Sequence, residues 1–336
     1  MINPNSVPFE NWFSRQHAAV NSCFLCGRNF NAGEGTREHI FPQWLLDKFH
    51  LRGKTIGLLN QTRFAYNQSV IPCCNICNNE HLSGLERIIK VGLESGYKYF
   101  IDQVPKMAIY QWCQLIFYKW LYKETFLRAD IRNPASAPIV EETNFSSMTL
   151  NHLLLRSIDK NINFEGFFPG SIFICHVKTG TDSFKNFDYL DAVPEQCLMI
   201  RLGEIGIVAV LADGNLQEIL FKKNFEPYLS RQLAPLQFKN LFAECLYRQH
   251  LFSDPFRYEI SNISEDSLTI KQQLNEDFKG NVYGEWNSND YANLMSQIFG
   301  GEASEYKVKG GHPSFLFDKN GQFKDRSFED DGSIDK

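Results

Sequence analysis

The sequence predicts an α+β protein, and two observations lead to this prediction. Five of the nine cysteines lie in two tight groups within the first quarter of the chain. Apolar and β-branched runs typical of strands begin only near residue 171, where they alternate with helical patterns. A chain of 336 residues has room for two domains. We therefore expect a small cysteine-containing domain first and a larger mixed α+β domain after it.

The N-terminal elements follow from local patterns. "PQWLLDKFH" (42–50) predicts a short helix with Pro42 in its first turn, and "SVIP" (69–72) a short strand that Pro72 ends. The stretch after Cys77 predicts an amphipathic helix that stops near Gly96, because its apolar residues recur at helical spacing: Leu82, Leu85, Ile88, Ile89 and Leu93. Residues 107–127 are apolar or aromatic almost all round, which predicts a buried helix.

Five further segments predict the C-terminal domain. Residues 171–177, 196–203 and 205–214 have the composition of strands, 256–261 adds another, and 233–252 is typical of a helix. We predict a domain over 1–100, a helical connector over 101–144, an α+β domain over 145–317 and a polar tail over 318–336.

Composition and charge restrict the function. No apolar run reaches about 18 residues, which predicts no membrane span. The N-terminus has no pattern of a secretory signal, so we expect a cytoplasmic protein. An odd number of cysteines in that compartment disfavours a disulfide framework. Residues 1–100 carry 10 Lys and Arg against 7 Asp and Glu, net +3, whereas the rest is net −8. The basic excess suits a polyanion but indicates one only weakly.

The cysteine spacing indicates a zinc site. Cys23 and Cys26, like Cys74 and Cys77, are separated by two residues, the interval that suits a tetrahedral zinc. Cys73 is a possible substitute for Cys74, although only Cys74 keeps the interval. The 47 residues between the pairs exceed the common zinc-ribbon spacing, which suggests an inserted element. The other four cysteines are expected to be buried thiols without chemistry.

The order of these motifs resembles the zinc-bound branch of the HNH endonucleases, which have the ββα-metal fold. The matching segments are "CFLC", "REHIFPQWLL", "YNQSVIP" and "CCNICNNEHLSGLE", within about residues 20–95. The resemblance implies a hydrolase that cleaves phosphodiester bonds in DNA. It also implies, by analogy alone, a role in anti-phage defence or a mobile element.

The resemblance also implies roles for individual residues. His39 would be the base that activates water, since a neutral imidazole suits that task. Glu38 and Asn78 would hold Mg²⁺ or Mn²⁺, and His81 would contact the scissile phosphate or assist the metal. The middle Asn of the motif is either Asn67, which we favour because a predicted strand follows it, or Asn60.

Alternative interpretations remain open at this point. A zinc ribbon that binds nucleic acid without catalysis explains the cysteines but leaves the Glu–His pair and Asn78 unexplained. The C-terminal domain could instead be the active part, with a nucleotide or protein ligand, yet it has no recognisable motif. We expect it to regulate or target the nuclease through a protein or ligand. Glu86 is expected to be a surface carboxylate, and His176 to be structural.

Overall fold

The computed structural model describes residues 21–31, 35–58, 60, 62–130, 132–133, 135–139, 151–308, 313–318 and 320–330. Helices and strands are mixed along this chain, so the α+β class is confirmed. The described residues form two compact units. The first comprises those of Met1–Ser95, Asp102–Gly166 and Arg257–Gln272, and the second those of Gly96–Ile101, Phe167–Phe256 and Gln273–Lys336. The boundaries expected at 100, 144 and 317 describe functional domains, and they stay a prediction.

The first unit begins with a short antiparallel pair of strands and ends with a small sheet. Its elements are β1 Gly35–His39, α1 Gln43–Lys48, β2 Thr55–Gly57, β3 Arg63–Ala65, β4 Val70–Cys74, a π-helical turn Cys77–Leu82, α2 Ser83–Glu94, α3 Tyr97–Gln103 (shared with the second unit), α4 Lys106–Glu124, β5 Asn161–Glu165, β11 Phe256–Ser261 and β12 Ser267–Leu274. Residues 151–155 are also helical. The helices expected over 42–50 and 107–127 are thereby confirmed.

Strands β1 and β4 pair in an antiparallel register that sets the geometry of the site. Gly35 lies opposite Cys74, and His39 lies opposite Val70. The expectation that Pro72 ends β4 was wrong, because the strand continues through Pro72 to Cys74. A proline is tolerated in this two-stranded pair because neither strand has a second neighbour that needs its missing N–H. The longer strand carries the chain directly into the second cysteine pair.

Helix α4 forms the core of the first unit. Nearly all of its side chains are buried, including Trp112, Tyr118 and Trp120. The Tyr118 ring stacks on Phe24 at 6.4 Å, and the Trp120 ring meets Phe41 edge-on at 6.2 Å. Both phenylalanines lie beside the sequence motifs, so α4 is the surface on which the first cysteine pair and the end of β1 are packed.

Helix α2 is amphipathic as expected and ends where the sequence predicts. Leu82, Leu85, Ile89 and Leu93 are buried, whereas Ile88 is 43% exposed. The helix stops at Glu94, and Gly96 follows with a φ of +88°, a conformation that glycine adopts without strain. The Gly96 signal for the end of the helix is therefore confirmed.

The second unit is built on a five-stranded sheet. Its elements are β6 Ser171–Val177, β7 Phe187–Ala192, β8 Cys197–Leu202, β9 Ile205–Val210, α5 Leu216–Leu220, α6 Lys222–Leu229, β10 Gln232–Leu233, α7 Pro235–His250 and α8 Ser288–Phe299. The sheet order is β10-β6-β9-β8-β7, with β10 parallel to β6 and the other pairs antiparallel. All side chains of β8 and β9 are buried, and α7 covers the sheet with Phe238, Leu241 and Phe242.

Three predictions for the second unit are confirmed. Strands lie within 171–177, 196–203 and 205–214, and a helix lies within 233–252. Cys175, Cys197 and Cys245 are buried in the core, as expected. In the part of the chain that the structure describes, no helix combines the length and apolarity that crossing a membrane requires.

Candidate metal and hydrolytic site

The first cysteine pair is formed by a tight backbone turn. The N–H of Gly27 donates to the carbonyl of Cys23 at 2.9 Å, and the N–H of Cys23 donates to the carbonyl of Arg28 at 2.9 Å. Gly27 has a φ of +70°, which favours glycine at this position. The turn brings the thiols of Cys23 and Cys26 to the same side.

The second cysteine pair joins the end of β4 to the π-helical turn. The N–H of Cys77 points at the sulfur of Cys74 at 3.5 Å. The four sulfur atoms of Cys23, Cys26, Cys74 and Cys77 all lie within 4.8 Å of one another, and Cys26 and Cys74 are 3.8 Å apart. Four thiolates about 2.3 Å from one zinc in a tetrahedron are about 3.8 Å apart. The four cysteines could therefore hold a metal ion such as zinc, and they are the set that the spacing predicts.

The thiols also perturb one another's protonation. The pKa of Cys23 is lowered, first by a hydrogen bond with Cys26, and the same contact raises the pKa of Cys26 to about 12. The two pKa values shift in opposite directions because the Cys23 thiolate accepts hydrogen bonds from neighbouring thiols that keep their protons. A bound metal would replace those protons.

Cys73 lies beside this cluster but outside the group of four. Its sulfur is 3.9 Å from the sulfur of Cys23. The contact with Cys23 and then burial raise the pKa of the Cys73 thiol. Cys73 is therefore a fifth thiol at the edge of the site.

His152 supports the first cysteine pair from a distant part of the sequence. Its fully buried ring places Nε2 2.9 Å from the carbonyl oxygen of Leu25 and 3.1 Å from that of Phe24. The sequence analysis did not single out this residue, since an isolated histidine in "LNHLLL" gives no signal of a contact 127 residues away.

His39 is the last residue of β1 and is half-buried. The backbone of Asn67, in the short 3-10 turn that precedes β4, lies close to the ring. Burial lowers the pKa of His39; Glu38 opposes this effect, and Lys119 adds to it. The imidazole is therefore biased toward the neutral form, which can accept a proton.

The structure brings Asn67, and not Asn60, to His39. The side chain of Asn60 donates to the carbonyl of Arg128 at 2.8 Å and accepts from the N–H of Thr62 at 3.0 Å. These contacts hold Asn60 in the loop between β2 and β3. Asn67 lies close to the histidine through its backbone. The side-chain amide of Asn67 is therefore not part of this contact.

Glu38 is buried against a lysine that the sequence analysis did not consider. The ammonium of Lys119 in α4 donates to Oε1 of Glu38 at 2.5 Å and to the carbonyl of His39 at 2.9 Å. Lys119 is fully buried and Glu38 is 8% exposed. A lysine within an apolar helical pattern carries no sequence signal of this pairing.

Glu86 completes a buried group of charges with this pair. Its Oε1 lies 3.9 Å from the ammonium of Lys119, and its side chain is 19% exposed. Burial raises the pKa of Glu86 to about 7, although Lys119 opposes the shift. The expectation that Glu86 is a surface carboxylate was wrong, because the helix turns this position toward α4.

Asn78 occupies the start of the π-helical turn, next to β1. Its amide nitrogen donates to Oγ1 of Thr36 at 3.0 Å. Thr36 and Glu38 are two residues apart on β1, so they point to the same face of the strand. Asn78 therefore contacts the face of β1 from which Glu38 projects.

These residues fit a catalytic divalent metal only in part. Among the described residues, the four cysteines are the one cluster of three or more His, Cys, Asp or Glu side chains that could hold a metal. Glu38 is a carboxylate and Asn78 an amide, both acceptable to Mg²⁺ or Mn²⁺. One oxygen of Glu38 is already bonded to Lys119.

His81 lies beside the cysteine cluster. It lines a cavity of about 850 Å³ together with Cys26, Cys74 and Cys77. Arg28 and the loop 263–266 form other parts of the wall. The position of His81 follows from the helical turn, in which it comes four residues after Cys77. The structure therefore associates His81 with the cysteines and records no contact between His81 and His39.

Comparisons of the chain with protein-family models, with curated proteins and with solved structures found no match. What the site does must therefore be argued from its own geometry. That geometry consists of a four-cysteine cluster, a half-buried histidine at the end of a strand, and a buried carboxylate beside it.

Proposed function

We propose that the first unit is a metal-dependent endonuclease of the HNH type that hydrolyses phosphodiester bonds in DNA. The observation that carries this proposal is the arrangement around His39. The histidine ends β1, its ring lies close to the backbone of Asn67, and the paired strand β4 leads through Cys74 and Cys77 to Asn78. The arrangement is an antiparallel strand pair followed by a helical segment. Strand β1 supplies the histidine, and the π-helical turn supplies Asn78, a candidate metal ligand.

His39 is suited to take a proton from the attacking water. A neutral imidazole has one ring nitrogen without hydrogen, and that nitrogen can accept a proton. Since burial lowers the pKa of His39, the neutral form dominates near pH 7. Burial therefore favours the protonation state that a general base needs.

Glu38 and Asn78 are the residues that would hold the divalent metal. A metal bound there would stabilise negative charge that develops on the phosphate and on the leaving oxygen. The zinc at the four cysteines has a different task in this proposal. It fixes the two ends of the segment between the cysteine pairs, which is too small to form a large core alone.

A zinc module that binds nucleic acid without cleaving it is a second candidate. The observation that favours it is the ion pair between Glu38 and Lys119, which makes Glu38 less available as a ligand. This candidate predicts DNA binding that depends on the cysteines and is indifferent to His39.

Cleavage of supercoiled plasmid separates the two candidates. We expect the full chain to nick or linearise the plasmid with Mg²⁺ or Mn²⁺, and EDTA to stop it. His39→Ala should reduce the rate by about 10²–10⁴-fold at unchanged zinc content, because the base is lost. His250→Ala is the matched control, since His250 is exposed in the second unit. Equal rates for wild type and His39→Ala would favour the binding module, and parallel assays on single-stranded DNA and RNA define the substrate.

The second unit is assigned to regulation or target selection within this proposal. The residues of the second unit carry 16 Lys and Arg against 22 Asp and Glu, net −6, and this negative charge would repel DNA at low salt. Replacing the exposed Glu276 and Glu285 by lysine should therefore raise the cleavage rate at low salt. The difference should fade as salt increases, because salt screens charges at the surface. An unchanged low-salt rate would remove charge repulsion as the means of control.

A further inference from the structure

We propose that Lys119 is a positioning residue of this site, whose ammonium fixes Glu38 and the backbone of His39 and shares the Glu38 carboxylate with the divalent metal. The inference depends on the proposed function for the metal and for the reaction. It concerns a residue 81 positions away from Glu38 in sequence.

The contacts of Lys119 are confined to the candidate site. Its three nearest oxygen partners are Oε1 of Glu38 at 2.5 Å, the carbonyl of His39 at 2.9 Å and Oε1 of Glu86 at 3.9 Å. One side chain thus holds both the proposed metal ligand and the backbone of the proposed base. Glu38 and His39 point to opposite faces of β1, and a single donor joins them through a side chain and a carbonyl.

A charged lysine is an unfavourable choice for stability alone. Helix α4 is buried on nearly every side, and an apolar residue would fill the position of Lys119 without desolvating a charge. The ammonium is instead compensated by two carboxylates gathered from β1 and α2. Such a buried ionic group is typical of an arrangement that fixes geometry where hydrophobic packing would not.

The shared carboxylate has two opposite consequences. The ammonium holds Oε1 of Glu38, so the carboxylate is fixed in one orientation and offers the metal its other oxygen. The same positive charge repels a divalent cation that approaches the carboxylate. Lys119 therefore lowers metal affinity while it increases the rate of the reaction. If Lys119 served only to fill space, its substitution would instead lower both the metal affinity and the reaction rate.

The experiment measures these two quantities separately on the full chain. Mn²⁺ affinity is measured by calorimetry without DNA, and cleavage by single-turnover kinetics with saturating Mn²⁺. Lys119→Met should bind Mn²⁺ about tenfold more tightly, because the competing charge is gone. It should cleave about 100-fold more slowly, because Glu38 and His39 lose their common donor. Zinc content and circular dichroism must match the wild type.

Lys119→Gln separates charge from geometry and protects the test if the methionine variant does not fold. Glutamine has no charge but keeps N–H groups for Glu38 and the His39 carbonyl. We expect the same gain in Mn²⁺ affinity with only about a tenfold loss in rate. A packing role predicts the reverse order, with methionine the better substitute in an apolar helix.

Lys123→Met is the matched control from the same helix. Lys123 is half-buried and donates to the carbonyl of Val70 at 3.2 Å, but it is not bonded to Glu38 or His39 in the structure. Both its Mn²⁺ affinity and its rate should stay within about threefold of the wild type. Lys119 variants that resemble Lys123→Met, or that lose Mn²⁺ affinity, overturn the inference.

Failure of the proposed function gives a different pattern. If the wild type binds Mn²⁺ but cleaves no nucleic acid, the proposed nuclease is rejected, and the Lys119 variants still decide whether the lysine shares Glu38 with a metal. If the wild type binds no divalent metal beyond zinc, the inference about Lys119 is rejected together with the catalytic metal.

Discussion

The two units of this protein bury charged groups in different ways. In the first, Glu38, Lys119 and Glu86 lie close together next to a half-buried histidine. In the second, the buried Asp213 accepts hydrogen bonds from Ser171, Asn215 and Gln217, which ties the start of α5 to β6. Burial raises the pKa of Asp213 to about 6, and that of Glu86 to about 7. A raised carboxylate pKa is therefore common to both units.

The difference lies in what surrounds the buried acid. Asp213 is enclosed by donors of its own unit's backbone and side chains, as expected of a helix cap. Glu86 has an unsatisfied buried oxygen and a lysine that is also bonded to another acid. Glu86 therefore differs from Asp213 in lacking a full set of hydrogen-bond donors, and a buried acid of this kind is a candidate for a functional role.

Loss of zinc should produce the largest difference between the two units. Cys74→Ser should abolish zinc binding and unfold the segment that the cysteine pairs hold, because metal binding supplies folding free energy there. The five-stranded sheet has an apolar core of its own and should keep its hydrogen-exchange protection. Zinc is measured by atomic absorption, and exchange by mass spectrometry.

Two controls accompany this variant. Cys113→Ser should keep its zinc, since Cys113 lies outside the cluster. Cys73→Ser should also keep it if the four cysteines are the ligands, although Cys73 is 3.9 Å from Cys23. If Cys74→Ser retained one zinc while Cys73→Ser lost it, Cys73 would be the zinc ligand in place of Cys74.

The pH dependence of cleavage should report on His39. A base works in its neutral form, so the rate should fall about tenfold for each pH unit below the pKa of His39. Because burial lowers that pKa, the fall should begin below the ordinary value of about 6.5, and the rate should be level above it. Single-turnover rates between pH 5 and 8 measure this. A midpoint above 7 would contradict the buried, neutral imidazole.

Asp213→Asn should affect stability without affecting the site. Asparagine loses one acceptor oxygen of a buried hydrogen-bonded group, which should lower the free energy of unfolding by about 1–3 kcal/mol. Zinc content and the cleavage rate at 25 °C should match the wild type. Urea denaturation followed by fluorescence measures the change. A selective loss of cleavage in this folded variant would show that the two units do not divide structure and chemistry as described.

Asn67→Ala should have the smallest effect. The part of residue 67 that lies close to the His39 ring is its backbone, which alanine retains, so the cleavage rate should change by less than about threefold. Asn60→Ala serves as the comparison from the neighbouring loop. If Asn67→Ala were as inactive as His39→Ala, the amide side chain of Asn67 would have a direct role that the structure does not record.

Local signals predicted the helices and strands well. The periodicity of 82–93, the apolar helix at 107–127 and the β-branched runs after 171 correspond to α2, α4, β6, β8 and β9. The two-residue cysteine intervals also predicted which four thiols converge. These successes share a cause, because helix pattern and cysteine spacing are properties of short segments.

Long-range partners could not be predicted in the same way. Lys119, Glu86 and His152 each reach the site because a helix is packed in one particular orientation. Glu86 was expected at the surface because a carboxylate on an amphipathic helix is usually solvated. Its burial depends on where α4 lies, and no local pattern specifies that. Pro72 was misjudged for a related reason, since its tolerance depends on β4 having a single neighbour.

The dependence of Glu38 on Lys119 has a consequence for the synthesis of the protein. The ribosome makes Glu38 and His39 early, but the lysine that holds them follows 81 residues after Glu38, and His152 comes later still. A nascent chain that already displays both cysteine pairs therefore lacks the donor that joins its proposed ligand to its proposed base. The order of translation thus delays the complete proposed site until helix α4 has emerged and packed.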